Sequence, residues 1–186
     1  MALTASIFKA EIDISDLRRH YYQSHKLTLA RHPSETDERM MLRLLAFAMF
    51  ADEGLSFTRG LSNDDEPDLW QHGLNGDIEL WLELGQPSDK RLRRARSLSR
   101  RIVVFSYGGR SSQQWWQEKS SELSRDPRLS VVDIDPTASQ ALAAMAQRGM
   151  RLQFTLEDSS IWVSSPDANI EITPTVWCGD ITPPPR

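Results

Sequence analysis

The sequence predicts an α/β (α+β) protein: a single domain with one central mixed β-sheet flanked by helices. Three observations predict it. Alternating apolar and polar residues mark strands at both ends of the chain. Between them the pattern runs strand, helix, strand, helix, strand, helix. The composition, 39% hydrophobic and 26% charged over 186 residues, is that of one globular unit with enough chain to bury a core. Neither an internal repeat nor a change in composition marks a second domain. Residues 1–180 therefore read as one unit, and the proline-rich residues 181–186 as a mobile end.

Ile7 to Ile14 places Phe8, Ala10, Ile12 and Ile14 on one face and Lys9, Glu11 and Asp13 on the other, as a half-buried strand does. Tyr21 to Arg31 follows after a short link, with Leu27 and Leu29 on one face, so the two strands form an N-terminal antiparallel hairpin. His32-Pro33-Ser34 ends the second strand. Ser34 is a candidate N-cap, and Asp37 lies in the acidic first turn of a helix that runs to about Asp52 and stops at Gly54. A polar, turn-rich stretch extends from Gly60 to Pro67. Ile78 to Leu84 alternates again, with Ile78, Leu80, Leu82 and Leu84 opposite Glu79, Trp81 and Glu83. Pro87-Ser88 breaks that strand and caps a helix from Asp89 to about Ser99. Ile102 to Phe105 is continuously apolar, as in a central strand covered on both faces. A helix over Gln113 to Leu123, a buried strand over Leu129 to Ile134 and a helix from Pro136 to about Arg148 complete the middle. Extra C-terminal strands follow at Leu152 to Leu156, Ile161 to Val163 and Ile170 to Ile172.

Composition excludes several classes. No stretch approaches the ~20 apolar residues of a membrane helix. Met1 to Glu11 lacks the basic and then apolar pattern of a secretory signal. One cysteine, Cys178, excludes an internal disulfide and a cysteine-based zinc cluster, and it has no visible activating partner. These features point to the cytoplasm. His20, His25, His32 and His72 are not at helical ligand spacing, Gly108-Gly109-Arg110 lacks a nucleotide-loop spacing, and no serine stands in a G-x-S-x-G elbow. The net charge of −4 argues against a broad basic surface and leaves room for a local one.

Two carboxylates carry the candidate chemistry. Asp68 follows Pro67 in a run of acidic residues, and Glu83 lies near the end of the Ile78–Leu84 strand. A sheet can bring the start of one strand beside the end of its neighbour. Carboxylates placed so could share Mg²⁺ (or Mn²⁺), which prefers oxygen ligands and keeps several waters. Such an ion polarises a phosphodiester and lowers the pKa of bound water. The competing reading is that acids beside a turn are solvated. Glu38 falls in line with Met41, Leu42, Leu45 and Met49 at helical spacing, where a carboxylate needs a partner. A metal or its water, or an arginine, would each serve.

Three strings go further: His32-Pro-Ser-Glu-Thr-Asp-Glu-Arg-Met-Met41, Glu66-Pro-Asp-Leu-Trp70 and Trp81-Leu-Glu-Leu-Gly-Gln-Pro87. In order and spacing they resemble those of the YaeQ family, and the similarity covers nearly the whole chain. That family is similar in fold to the PD-(D/E)XK phosphodiesterases, which pair a Pro-Asp with a Glu-x-Lys on a neighbouring strand. The resemblance implies a metal-dependent nuclease-like site with Asp68 and Glu83 as its carboxylates and Glu38 as the helical glutamate. It also implies a link to transcription, through a partner in transcript elongation. The departure is at Gly85, which stands where the lysine belongs. Gln86 and Lys90 are the candidate substitutes. Gln86 points away from Glu83 on an ideal strand, and a kink at Gly85 or Pro87 would re-aim it.

The helix after Pro87 is strongly basic: Lys90, Arg91, Arg93, Arg94, Arg96, Arg100 and Arg101 surround a buried stripe of Leu92, Ala95 and Leu98. Arginine forks suit phosphate oxygens, so Arg93, Arg94 and Arg96 are candidate nucleic-acid contacts. The alternative is a solvated face paired with the acids of residues 64–66. Trp70, Trp115, Trp116 and Trp177 could stack bases, whereas Trp81 and Trp162 fall in strand patterns and read as core. The expected protein is a monomer or weak oligomer. Two function classes follow: a Mg²⁺-dependent nuclease, or a catalytically inactive nucleic-acid- or protein-binding module.

Overall fold

A computed structural model describes residues 4–59, 61 and 63–183; the last part of the expected mobile end, 184–186, lies outside the described residues. The elements are β1 (Ser6–Asp16), β2 (Tyr21–Arg31), α1 (Asp37–Phe50), β3 (Leu55–Phe57), β4 (Leu69–His72), β5 (Ile78–Leu84) and α2 (Asp89–Leu98). They continue with β6 (Ser99–Tyr107), α3 (Arg110–Leu123), β7 (Leu129–Ile134), α4 (Pro136–Ala143), β8 (Gly149–Leu156), β9 (Ile161–Ser164), β10 (Asn169–Ile172) and β11 (Thr175–Cys178). The α+β class is as expected, but the strands form two mixed sheets rather than one: β10-β9-β8-β1-β2 and β11-β7-β6-β5-β4-β3. The chain correspondingly divides into two compact units. One takes the residues up to Met49 and Thr137–Thr173; the other takes Phe50–Pro136 and the segment from Pro174.

In the first unit β1 and β2 form the expected antiparallel hairpin, from Ser6 opposite Arg31 to Asp16 opposite Tyr21. β1 then takes β8 as a parallel neighbour, Lys9 opposite Gly149 through Asp16 opposite Leu156. This long-range pairing is why the terminal strands form their own sheet. Phe8, Ala10, Ile12 and Ile14 are buried, and the intervening polar residues leave the other face open, which an antiparallel-rich sheet tolerates. Trp162 is only half-buried, contrary to the core role expected of it. Asp16, buried at the end of β1, is neutralised by Arg18 and Arg19.

Helix α1 is buried on every side from Met40 to Phe50, so it is a core helix rather than an amphipathic one. Its one buried cation, Arg43, is matched by Glu35: Nε donates to Oε1 at 2.8 Å and Nη2 to Oε2 at 2.7 Å. The cap is Thr36, whose Oγ1 accepts from the Arg39 N–H at 3.1 Å. Ser34, the expected cap, pairs instead with His32 Nδ1.

In the second unit β5, β6 and β7 run parallel at the centre of the sheet. β4 and β3 extend one edge antiparallel, and β11 the other. From Leu80 to Leu84 both faces of β5 are buried, so its alternation is not that of a half-buried strand. The covering layer is α2 and α3, whose Leu92, Ala95, Trp115 and Leu123 pack with Trp81, Ile102 and Val104. Ser88 caps α2 as expected, accepting from the Arg91 N–H at 3.3 Å. Leu98 is exposed rather than part of the buried stripe. The helix ends there, and Ser99 turns into β6 with its hydroxyl on Ala95 O. α3 begins at Arg110, earlier than expected, and α4 stops at Ala143, short of Arg148. The short strands β3, β4 and β11 were not expected; at three or four residues they carry too little periodicity to stand out.

Candidate functional site

The two carboxylates lie in the second unit, Glu83 on β5 and Asp68 just ahead of the neighbouring β4. β4 and β5 pair Leu69 with Leu82, and Asp68 stands one residue ahead of that ladder. Its N–H donates to Leu82 O at 3.0 Å, and its Oδ2 accepts from the Leu84 N–H at 2.8 Å. The side chain thus extends the ladder by one rung. On the other side the Thr58 N–H donates to Asp68 O at 3.2 Å, and the Thr58 hydroxyl donates to Pro67 O. Backbone bonds on both sides leave the Asp68 carboxyl little freedom. Asp68 is 2% exposed and Glu83 5%.

Glu83 shares its face of β5 with Trp81, two residues back. Trp81 Nε1 donates to Glu83 Oε2 at 2.9 Å, and Arg91 Nε donates to Glu83 Oε1 at 2.7 Å. The rest of the Arg91 guanidinium reaches the acidic turn: Nη1 donates to Asp64 O at 2.5 Å and Nη2 to Glu66 O. Burial pushes the Glu83 carboxyl up to about 7, and the negative charge of Asp68 adds to the rise. The charge of Arg91 and the bonds from Arg91 and Trp81 pull the other way without cancelling it. Near neutral pH the Glu83 carboxyl is therefore about half protonated.

Gly85 has φ +91°, a conformation glycine adopts without penalty. A Cβ here would meet only Tyr107 Cε1, at 4.0 Å. Backbone conformation, not space, disfavours the lysine of the motif. The same kink re-aims Gln86, whose Nε2 crosses to β6 and donates to Tyr107 O at 2.6 Å and to Ser106 Oγ at 3.2 Å. Ser106 hydrogen-bonds Ser112, and Ser112 Oγ donates to Asp133 Oδ1 at 2.6 Å. Burial lifts the Asp133 carboxyl above its ordinary range and Asp135 adds to that, against the bond from Ser112. This polar chain, absent from the sequence reading, runs along the carboxyl ends of β5, β6 and β7, where ligands bind in many α/β sheets.

The other expected residues divide. Lys90 and Arg93 are exposed on α2. Arg94 pairs with Asp65 at 3.5 Å, and Arg96 with Asp126 at 3.0 Å and Glu122 at 3.2 Å. The basic face is therefore partly matched by acids, including the turn expected to match it. Arg91 is the cation that sequence reasoning left undistinguished within the run. Glu38, in the first unit, accepts from Ser139 Oγ at 2.5 Å, and the buried acid beside α1 is Glu35.

Among the described residues no group of three or more His, Cys, Asp or Glu side chains is placed to hold a metal. Mg²⁺ needs fewer, since it is commonly held by one or two carboxylates plus waters and substrate oxygens. Two buried carboxylates whose charges oppose one another fit such an ion. A cavity of about 720 Å³ lies elsewhere. It is lined in the first unit by residues that include Lys9, Lys26 and Arg151, and by none of the predicted site residues. A wide opening over the solvated face of a sheet is weaker support for chemistry than buried, hydrogen-bonded carboxylates. No helix of the described residues is long and apolar enough to cross a membrane.

The family model described as YaeQ protein matches residues 1–174. The YaeQ proteins of Escherichia coli (strain K12) and Salmonella typhi are each 45% identical over 177 residues, covering 95% of this chain and 98% of theirs. The crystal structure of YaeQ from Xanthomonas axonopodis pv. citri superposes with a TM-score of 0.92 at 47% identity, covering 95% of this chain and all of that one. That of YaeQ from Pseudomonas syringae gives 0.90 at 31% identity, covering 95% and 98%.

Proposed function

This chain belongs to the YaeQ family, and we propose that it is a nuclease-like, divalent-cation-dependent phosphodiesterase acting on nucleic acid in the cytoplasm. One observation carries the reading: two buried carboxylates, Asp68 just ahead of β4 and Glu83 on the neighbouring β5, are held by their own hydrogen bonds. A Mg²⁺ or Mn²⁺ ion held by them would supply Lewis acidity at a phosphoryl oxygen and an acidified water. Gln86 takes the place of the lysine. Its Nε2 is committed to Ser106 and Tyr107, so its Oε1 is the atom it offers, and a carbonyl oxygen orients a water by accepting a hydrogen bond from it. Lys90 and Arg93, exposed on α2, give a flanking phosphate positive charge. Glu38 belongs to the first unit, where its carboxylate accepts from Ser139, and is no part of this pair.

Calorimetry with Mg²⁺ and Mn²⁺ tests the reading. The unmodified protein should show one site, lost in Asp68→Asn and Glu83→Gln. Absence of binding at millimolar metal, or binding unchanged in both variants, would refute it. A second reading, a non-catalytic nucleic-acid- or protein-binding module with a transcription-related partner, is favoured by Gly85 in place of lysine and by Arg91 already seated on Glu83. Under that reading, replacing Arg93, Arg94 and Arg96 with Ala weakens nucleic-acid binding and flattens its salt dependence, while the metal is irrelevant.

A further inference from the structure

Arg91 occupies an unusual position for a residue of an exposed basic helix. Three nitrogens of one guanidinium reach three groups: Glu83 Oε1 on β5 and the carbonyl oxygens of Asp64 and Glu66 in the turn before β4. The contact with Glu83, 2.7 Å between partners 22% and 6% exposed, is among the better buried ion pairs of this unit. A planar fork can make such a bridge, whereas an ammonium cannot span all three acceptors. The contact places a fixed positive charge against one of the two carboxylates. It also ties the acidic turn, whose Asp65 faces Arg94, to the first turn of α2.

We propose that Arg91 is a resident counter-cation that latches the carboxylate site: it clips the 64–66 turn over Glu83 and competes with a divalent cation for that carboxylate. The inference rests on the metal-site reading above and adds its regulation. Release of Glu83 frees a guanidinium beside the site, and its natural next acceptor is a phosphate oxygen of the substrate. Metal alone has to displace the arginine. Metal together with a phosphodiester gives the arginine somewhere to go, so the two ligands favour each other's binding.

Two variants and two readouts test the latch. In Arg91→Gln, amide hydrogen exchange at Asp65 and Glu66 should accelerate, because two carbonyl anchors of the turn are lost. Mn²⁺ affinity should rise by about tenfold, the equivalent of one broken charge-assisted hydrogen bond. Arg91→Lys keeps a charge near Glu83 but loses the bridge. It should accelerate the same amides while raising Mn²⁺ affinity less, and it serves as the folded control if the glutamine variant is unstable. Unchanged exchange at Asp65 and Glu66 in both variants overturns the clip. If the unmodified protein binds Mn²⁺ and neither variant binds it more tightly, the competition is overturned and the metal site stands. If none of the three binds Mn²⁺, the metal-site reading falls and the competition falls with it.

Discussion

Glu83 should leave its mark on stability as a function of pH. Its carboxyl rises from an ordinary value of 4.5 to about 7 in the folded protein, through burial first and the charge of Asp68 second. Between those values the folded state holds a proton that the unfolded chain has released. Unfolding then sheds a proton, so stability falls as pH rises through this window. The favourable contribution is complete below about pH 4.5 and gone above about pH 7. A rise of this size corresponds to about 3 kcal/mol. Glu83→Gln keeps the size of the side chain and cannot titrate. It loses a contact to either Trp81 or Arg91, but that loss does not vary with pH. The difference in unfolding free energy between unmodified protein and variant should therefore swing by about 2.5 kcal/mol from pH 5 to pH 8, with the variant gaining relative stability as pH rises. Urea denaturation followed by far-ultraviolet circular dichroism across that range measures it. The other shifted groups, such as Asp16 and Asp133, titrate alike in both proteins and cancel. Parallel stability profiles over the whole range would refute the argument, because they would mean that Glu83 is ionised throughout and its site well solvated.

Other outcomes follow from single contacts. Gly85→Ala should destabilise by about 1–2 kcal/mol in urea, since its φ of +91° strains any side chain although space is available. Thr36→Ala should lower stability by about 1 kcal/mol, while Ser34→Ala should stay within about 0.5 kcal/mol, a comparison that identifies the true cap of α1. Arg43→Leu should cost about 3 kcal/mol, because it leaves the buried Glu35 carboxylate with Arg39 as its remaining ion-pair partner. Thermal or urea midpoints for this variant near those of the unmodified protein would show that the pair is replaceable by an apolar side chain.

Much of the local structure was legible in the chain. The spans of β2, β5 and β7 coincide with the periodicity that predicted them, and Ser88 caps α2 where Pro87 breaks the strand. Each depends on neighbours a few residues away. The Pro-Asp and the strand glutamate were legible as well, though only longer strings around them separated a candidate site from ordinary surface acids. What stayed hidden was non-local. Alternation in Ile78–Leu84 cannot say whether a helix will cover its second face, and so could not reveal that Glu83 is buried.

Local pattern therefore determined which residues form strands and helices, where α2 begins, and which two carboxylates to consider. Tertiary structure decided the rest. The pairing of β1 with β8 split the strands between two sheets, because hydrogen-bond partners more than a hundred residues apart leave no periodic trace. The kink at Gly85 turned Gln86 onto β6, because a glycine in a sequence announces freedom and not the angle chosen. Arg91 was selected from a run of equivalent cations by how α2 packs over β5, since only the side chain aimed at a buried carboxylate gains from pairing in a site poor in water.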